Sequence, residues 1–271
     1  MFHANRGTSA WVRQGVMRYK VRISPLDKHR LARPGTHASD GDLVREWDNT
    51  RELGGLPCAG GYIRTGVLWR GGTHDRHLPA FAQEFTRPFH FFDLRTAREI
   101  PAPEQGPGQG AVCRHHWPVA DPQWVDPRRR DTAFYIESGI RLVPSLGRCF
   151  EDLLATLADG GTVFVGCRLG KDRSGLVILA LGALLGIPKT ALVADYVRTA
   201  QSYRASPEWI REYARKRHED FAEVLRRLTP GAEIPAGILL GLPGSPDALR
   251  ALLGIGEDLL SAARRQVAAA A

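Results

Sequence analysis

Val163-Phe-Val-Gly-Cys167-Arg-Leu-Gly-Lys-Asp-Arg173-Ser-Gly-Leu-Val-Ile178 decides how this chain folds and what it does. Thr162 to Val165 is short and apolar and follows the Gly160-Gly161 break, so it reads as a buried strand. Ser174 to Leu185 is apolar enough to be a buried helix. The chain between them has to turn tightly. Such a turn leaves several backbone N–H groups aimed at one point, with the positive end of the helix dipole behind them. An oxyanion bound there is stabilised without a metal.

Cys167 opens the turn and Arg173 closes it. A thiol facing a helix N-terminus and neighbouring cations favours the nucleophilic thiolate. The planar fork of Arg173 suits two equatorial oxygens of a phosphoryl group. Together they predict in-line attack on phosphorus and a cysteinyl-phosphate that water later hydrolyses. Ser174 can donate its hydroxyl to the departing sulfur. A nucleotide-binding P-loop does not fit, because it needs Gly where Val165 stands and Ser or Thr where Asp172 stands.

Outward from this stretch, the chain alternates strands and helices. Gly66 to Arg70, Phe89 to Leu94 and Ala111 to Trp117 read as strands, and Pro79 to Thr86 as a helix. Apolar residues recur at helical spacing from Thr132 to Leu157. After Pro188 the text is helical: 189–202, 207–228, and shorter pieces near 246–253 and 256–268. The expected fold is α/β, a parallel sheet flanked by helices. Residues 46–271 form the catalytic domain, with a helical C-terminal cap from about 200. Residues 1–45 form an N-terminal extension, in which Met17, Tyr19, Val21 and Ile23 alternate like a short strand.

C-x5-R followed by Ser or Thr resembles the signature of cysteine-dependent protein tyrosine phosphatases. The fuller Cys-x-x-Gly-Lys-Asp-Arg-Ser-Gly is similar to a bacterial tyrosine/lipid phosphatase branch. Arg51-Glu-Leu-Gly-Gly, Gly66-Val-Leu-Trp-Arg70, Asp93-Leu-Arg95 with Glu99, and Asp195-Tyr196 resemble further motifs of that branch in the same order. The resemblance implies phosphomonoester hydrolysis without a cofactor, on phosphotyrosine, on phosphoinositides or on a phosphorylated small metabolite. It implies that the backbone of Arg168, Leu169, Gly170 and Lys171 binds phosphate, that Asp172 is the candidate general acid, and that the helices after 200 act partly as a lid. The sequence departs from the pattern at Gly166, where the branch has His, at Glu52 for Asp, and at Gly71-Gly72.

Several residues keep two readings. Asp172 is either the acid or an ionic brace for the loop, and Asp121 is the alternative acid. Asp93 and Arg95 end a central strand, where ligands gather, and they also suit an internal salt bridge. Arg70 belongs with them on the substrate side. Lys171 is either a substrate contact, the favoured reading because a lysine in an anion cradle adds attraction, or a brace for the loop. Trp69, Trp117, Trp124 and Trp209 are candidate walls for a ring-bearing substrate. Cys113, His115 and His116 lack further ligands and alternate across a strand, so no metal is expected.

The chain has 271 residues and a formal net charge of +8, nearly all of the positive charge being arginine. The arginines are spread out and match no nucleic-acid-binding module, so they read as a field that steers anionic substrates. No signal peptide or membrane-spanning run is evident. The irregularly spaced cysteines suit a reducing cytoplasm. The expected partner is a phosphorylated substrate, with no nucleic acid, and the oligomeric state stays open. Two rivals remain: a non-catalytic phosphate-binding module, which has no need of a thiol, and a rhodanese-type sulfur-transfer enzyme, for which Arg173-Ser174 has no evident use.

Overall fold

The computed structural model describes residues 9–14, 17–22, 49–73, 75, 78–100, 112–119 and 131–270. The first two strands, β1 (Ser9–Gln14) and β2 (Met17–Arg22), pair antiparallel within the expected extension. The site is built on a separate five-stranded sheet. Its strands are β3 (Arg51–Glu52), β6 (Leu68–Gly72), β7 (Phe89–Asp93), β8 (Val112–His116) and β9 (Thr162–Cys167), in the order β3-β6-β9-β7-β8. β6, β9, β7 and β8 run parallel, and β3 is an antiparallel edge on β6. Short strands β4 (Pro57–Cys58) and β5 (Gly61–Ile63) join the C-terminal β10 (Ala268–Ala269) in a small second sheet.

Strand alternation sorts the side chains into two cores. Val163 and Val165 of β9 join Leu68 and Phe92 in the larger core. Phe164 points the other way, with Phe89 and Phe91, against the short helix α1 (Leu78–Ala82). The larger core is roofed by α2 (Thr132–Leu142), α3 (Gly147–Ala158), α4 (Asp172–Leu184) and α5 (Lys189–Arg204). α4 is buried almost all round, as its apolar sequence requires. The fold is therefore α/β, a largely parallel sheet flanked by helices.

The remaining helices are α6 (Pro207–Arg217), α7 (Phe221–Leu228), α8 (Glu233–Gly241), α9 (Pro246–Leu253) and α10 (Glu257–Val267). α6 and α7 share a small core of their own, Tyr203, Ile210, Ala214, Val224 and Leu228, against which Leu169 of the Cys167 loop packs. The single helix expected over 207–228 is two. His218 adopts a left-handed conformation (φ 54°), and Asp220 caps α7 by accepting from the Glu223 N–H at 2.9 Å. The stretch 132–157 also breaks, at a 3-10 turn (Val143–Leu146) that contains Pro144. α8 was not anticipated. Its Pro235 lies in the first turn, where a missing N–H costs nothing.

Phe164 is fully buried at the centre of the sheet and contacts Phe81, Phe89 and Phe91. Phe164→Ala should cost about 3–5 kcal/mol, read as a lowered denaturant midpoint with an unchanged slope.

Candidate functional site

β9 delivers Cys167 to the carboxyl end of the sheet, and α4 begins at Asp172. Gly170 makes the short turn between them possible. Its φ is +64°, and a Cβ there would overlap the backbone of Gly71 and Gly72, so any side chain would be strained and crowded at once. Gly166, before Cys167, has no room for a larger residue either. Thr73, Phe91 and Phe164 fill the space that a Cβ would occupy.

The Cys167 thiol is 2% exposed, at the floor of a cleft of about 60 Å³. Cys167 Sγ lies 3.5 Å from Ser174 Oγ. No side chain caps the N-terminus of α4, which leaves its first N–H groups for an anion. Burial, and next Asp152, push the thiol of the buried Cys149 up to about 12, which keeps it protonated.

Arg173 also faces the cleft. Its two terminal nitrogens donate to the two Glu99 oxygens at 2.6 and 2.8 Å, and Nη1 reaches the Leu94 carbonyl at 3.3 Å. Glu99 is held in turn by Thr96, whose N–H donates to it at 2.9 Å. Burial pushes the Glu99 carboxyl up, but Arg173 and Thr96 more than reverse this and hold it below the usual range. The Asp-Leu-Arg-x-x-x-Glu string thus supplies a bidentate brace that fixes the plane of the guanidinium.

Lys171 and Asp172 line the same cleft. The ammonium of Lys171 is 3.0 Å from Asp172 Oδ1, donates to the Arg227 carbonyl at 2.8 Å, and lies 5.5 Å from the Tyr135 ring centroid. Lys171 thus braces the loop against the cap while still lining the cleft. Arg168 is exposed at the rim, and Tyr213, Arg217 and Arg227 of the cap complete that side. Tyr213 stacks on Trp209.

Other expected residues lie away from the cleft. Arg70 is fully buried behind the loop: it donates to the Gly170 carbonyl at 2.8 Å and to Asp195 at 2.9 Å. It cannot meet substrate there. Asp93 and Arg95 form a buried bidentate pair at 2.8 and 2.9 Å, extended by Asp75 and Arg114. Burial lowers the Arg95 pKa and the two aspartates more than reverse it, so the net shift is upward. They form the internal salt bridge, at the carboxyl end of β7 beside the segment that presents Leu94 and Glu99 to Arg173.

Trp69 packs against Phe81 and Phe85, and Trp117 donates to Asp152 at 3.1 Å. Of the three that are described, Trp209 stands near the cleft, behind Tyr213. Asp121 and Trp124 lie outside the described residues. His115 stacks on Phe92 and bonds both His90 and Asp152, at 3.0 and 2.8 Å. No group of three potential metal ligands occurs among the described residues.

The sequence reading missed Asn49, whose Nδ2 donates to the Gly170 carbonyl at 2.7 Å, and Tyr203, whose hydroxyl donates to the Leu169 carbonyl at 2.6 Å. It took Asp195 only as part of a motif. A usable signal was present, since Asp195, Thr199 and Tyr203 recur every four residues and so share one face of α5.

The depressed carboxyl of Glu99 makes stability pH-dependent. Its contribution is complete above the ordinary Glu range, about pH 4.3, and is lost as pH falls through its lower folded value. Asp195 acts alike: burial pushes it up, but Arg51 and Arg70 hold it at about 2. Stability should therefore decline from about pH 4 downward. Glu99→Gln should remove part of that acid limb, as read from denaturation midpoints between pH 6 and pH 2.

A model of the tyrosine phosphatase family matches residues 43–270. A protein of Cupriavidus necator with a provisional tyrosine-protein phosphatase name is 30% identical over 170 residues, 56% of this chain and 60% of that one. The aligned part is therefore less than two thirds of the relative's length. OH1 of Orf virus, a tyrosine phosphatase of solved structure, shares 16% identity over 73% of this chain and 94% of its own. Its TM-score of 0.29 is too low to bear on fold or function. With the family model covering most of its length, and its motifs gathered around one thiol, this chain belongs to the tyrosine phosphatase family.

Proposed function

We propose that the protein is a metal-independent phosphomonoesterase that works through a cysteinyl-phosphate on Cys167. The observation that carries this reading is the approach of Cys167 Sγ to Ser174 Oγ, 3.5 Å, on the floor of a cleft that Arg173 also lines. In the first step the thiolate attacks phosphorus, the S–P bond forms and the P–O bond to the leaving group breaks. Charge on the equatorial oxygens is met by the Arg173 fork and by the backbone of Arg168, Leu169, Gly170 and Lys171. In the second step water attacks phosphorus, the S–P bond breaks, and Ser174 donates to the leaving thiolate.

Asp172 is the candidate acid for the leaving oxygen. Among the described residues, Glu99 and Asp172 are the carboxylates lining the cleft, and both Glu99 oxygens are taken by Arg173. Lys171, 3.0 Å away, orients the Asp172 carboxyl group. Asp121 is the alternative acid.

Arg168, Arg217 and Arg227 around the cleft favour an anionic substrate such as a phosphoprotein or a phosphoinositide. A phosphorylated small metabolite is the second reading, favoured by the small volume of the cleft and by Tyr213 on its wall. The reading includes a catalytic domain from about residue 46 and a cytoplasmic location, as the sequence suggests. Among the described residues, no helix is long and apolar enough to cross a membrane.

Phosphate release in EDTA, measured across phosphotyrosine peptides, phosphoinositides, nucleotides and sugar phosphates, should show turnover of one class. No turnover of any member by folded, reduced protein would favour the non-catalytic binding module. Cys167→Ser should abolish turnover while retaining oxyanion binding. Arg173→Lys should lower kcat/KM by about 10²-fold or more, because a point charge cannot replace the fork; near-normal kinetics would count against the clamp.

A further inference from the structure

Three consecutive carbonyl groups of the loop are held from its buried side. The Leu169 carbonyl accepts from Tyr203 Oη at 2.6 Å and from Asn49 Nδ2 at 3.3 Å. The Gly170 carbonyl accepts from Asn49 Nδ2 at 2.7 Å and from Arg70 Nη2 at 2.8 Å. The Lys171 carbonyl accepts from Arg70 Nη2 at 3.3 Å. A planar trans peptide points its N–H opposite to its C=O. Anchoring these oxygens therefore turns the N–H groups of Gly170, Lys171 and Asp172 away from the buried layer and toward the cleft.

The layer converges on one carboxylate. Asp195, 4% exposed, does not line the cleft. Its Oδ2 accepts from Arg70 Nη1 at 2.9 Å, and its Oδ1 accepts from Arg51 Nε at 2.6 Å. Arg51 Nη1 then donates to Asn49, at the backbone oxygen (3.1 Å) and at the side-chain Oδ1. That contact fixes which way the amide of Asn49 faces, so its Nδ2 meets the loop. Two guanidinium groups around one carboxylate leave net positive charge buried behind the loop. Arg70 polarises the carbonyls it bonds, which strengthens the N–H donors on the other side of those peptides.

We propose that Asp195 is a positioning residue for oxyanion binding. Through Arg70, and through Arg51 with Asn49, it sets the orientation of the 169–171 peptide units and hence the affinity of the loop for a tetrahedral anion. The proposal rests on the reading of the loop as a phosphate cradle. It gives Arg70 a task that its burial otherwise leaves unexplained, and it assigns the buried face of α5 to the site.

The test is tungstate binding by calorimetry in EDTA, alongside hydrolysis of p-nitrophenyl phosphate and thermal melting. Asp195→Asn and Asn49→Ala should each weaken tungstate binding about tenfold and raise KM more than they lower kcat. Tyr203→Phe, which removes the hydroxyl that donates to the Leu169 carbonyl, should weaken it about threefold. Phe164→Ala is the comparison: it lowers melting temperature and should leave tungstate affinity of the folded protein unchanged. If Asn49→Ala and Tyr203→Phe behave like Phe164→Ala, the proposal is overturned, and these two carry the test even where Asp195→Asn fails to fold. A wild type that binds no tungstate also overturns it. A wild type that binds tungstate but hydrolyses no phosphomonoester refutes the phosphatase reading alone, and the binding series still decides the role of Asp195.

Discussion

The chain has to leave β9 and enter α4 through the four residues Arg168 to Lys171, and that short turn constrains the rest of the structure. The turn closes only because Gly170 adopts a left-handed φ and presses against the backbone of Gly71 and Gly72. The close approach brings β6 under the loop, so Arg70 on that strand arrives directly behind the carbonyl oxygens. α5 must then supply a partner for the buried cation, and Asp195 does. β7 and the 3-10 turn that follows it place Glu99 across Arg173. Cys167, Arg173 and the N-terminus of α4 are fixed by one local geometry, and the neighbouring elements hold that geometry from behind.

Burying this much charge has little value as a source of stability. Desolvating a guanidinium and a carboxylate costs about as much as their attraction returns, and apolar replacements often serve stability as well. What buried ion pairs provide here is direction. A guanidinium has a fixed plane and several donors, so one Arg70 can hold Asp195 and two carbonyls together, which a lysine could not do. The same holds for Arg173, where Glu99 fixes the plane of the fork before any anion arrives. The cap adds a looser layer: Leu169 packs into its small core, and Lys171 donates to the end of α7. Loop and cap are therefore tied together next to Cys167.

How much of this the sequence reveals depends on range. The strand, the turn and the helix around Cys167 are legible because strand and helix periodicity, glycine and the Cys–Arg spacing are all local signals. Glu99 is visible in a motif, but its partner lies 74 residues away, and spacing alone does not reveal the pair. Arg70 misleads for a physical reason. It follows Trp69 on a strand, and a charged residue near a strand end suggests substrate; only the position of Asp195 shows that the inward side is tolerable. The brace made by Lys171 is no more legible, because its partner at the end of α7 lies 56 residues away. The helix break at His218 and the existence of α8 depend on one left-handed residue and on a proline in a first turn, and neither is prominent in periodicity.

The central claim is that phosphorus becomes bonded to Cys167 Sγ during turnover. It is tested most directly by acid-quenching the protein during hydrolysis of a phosphomonoester and measuring the peptide masses. In Ser174→Ala the second step should be slowed, and the peptide containing Cys167 should gain the mass of one phosphoryl group, with none gained in Cys167→Ser. Sustained turnover with no phosphoryl group ever found on that peptide, or with the group found on another residue, would contradict the account.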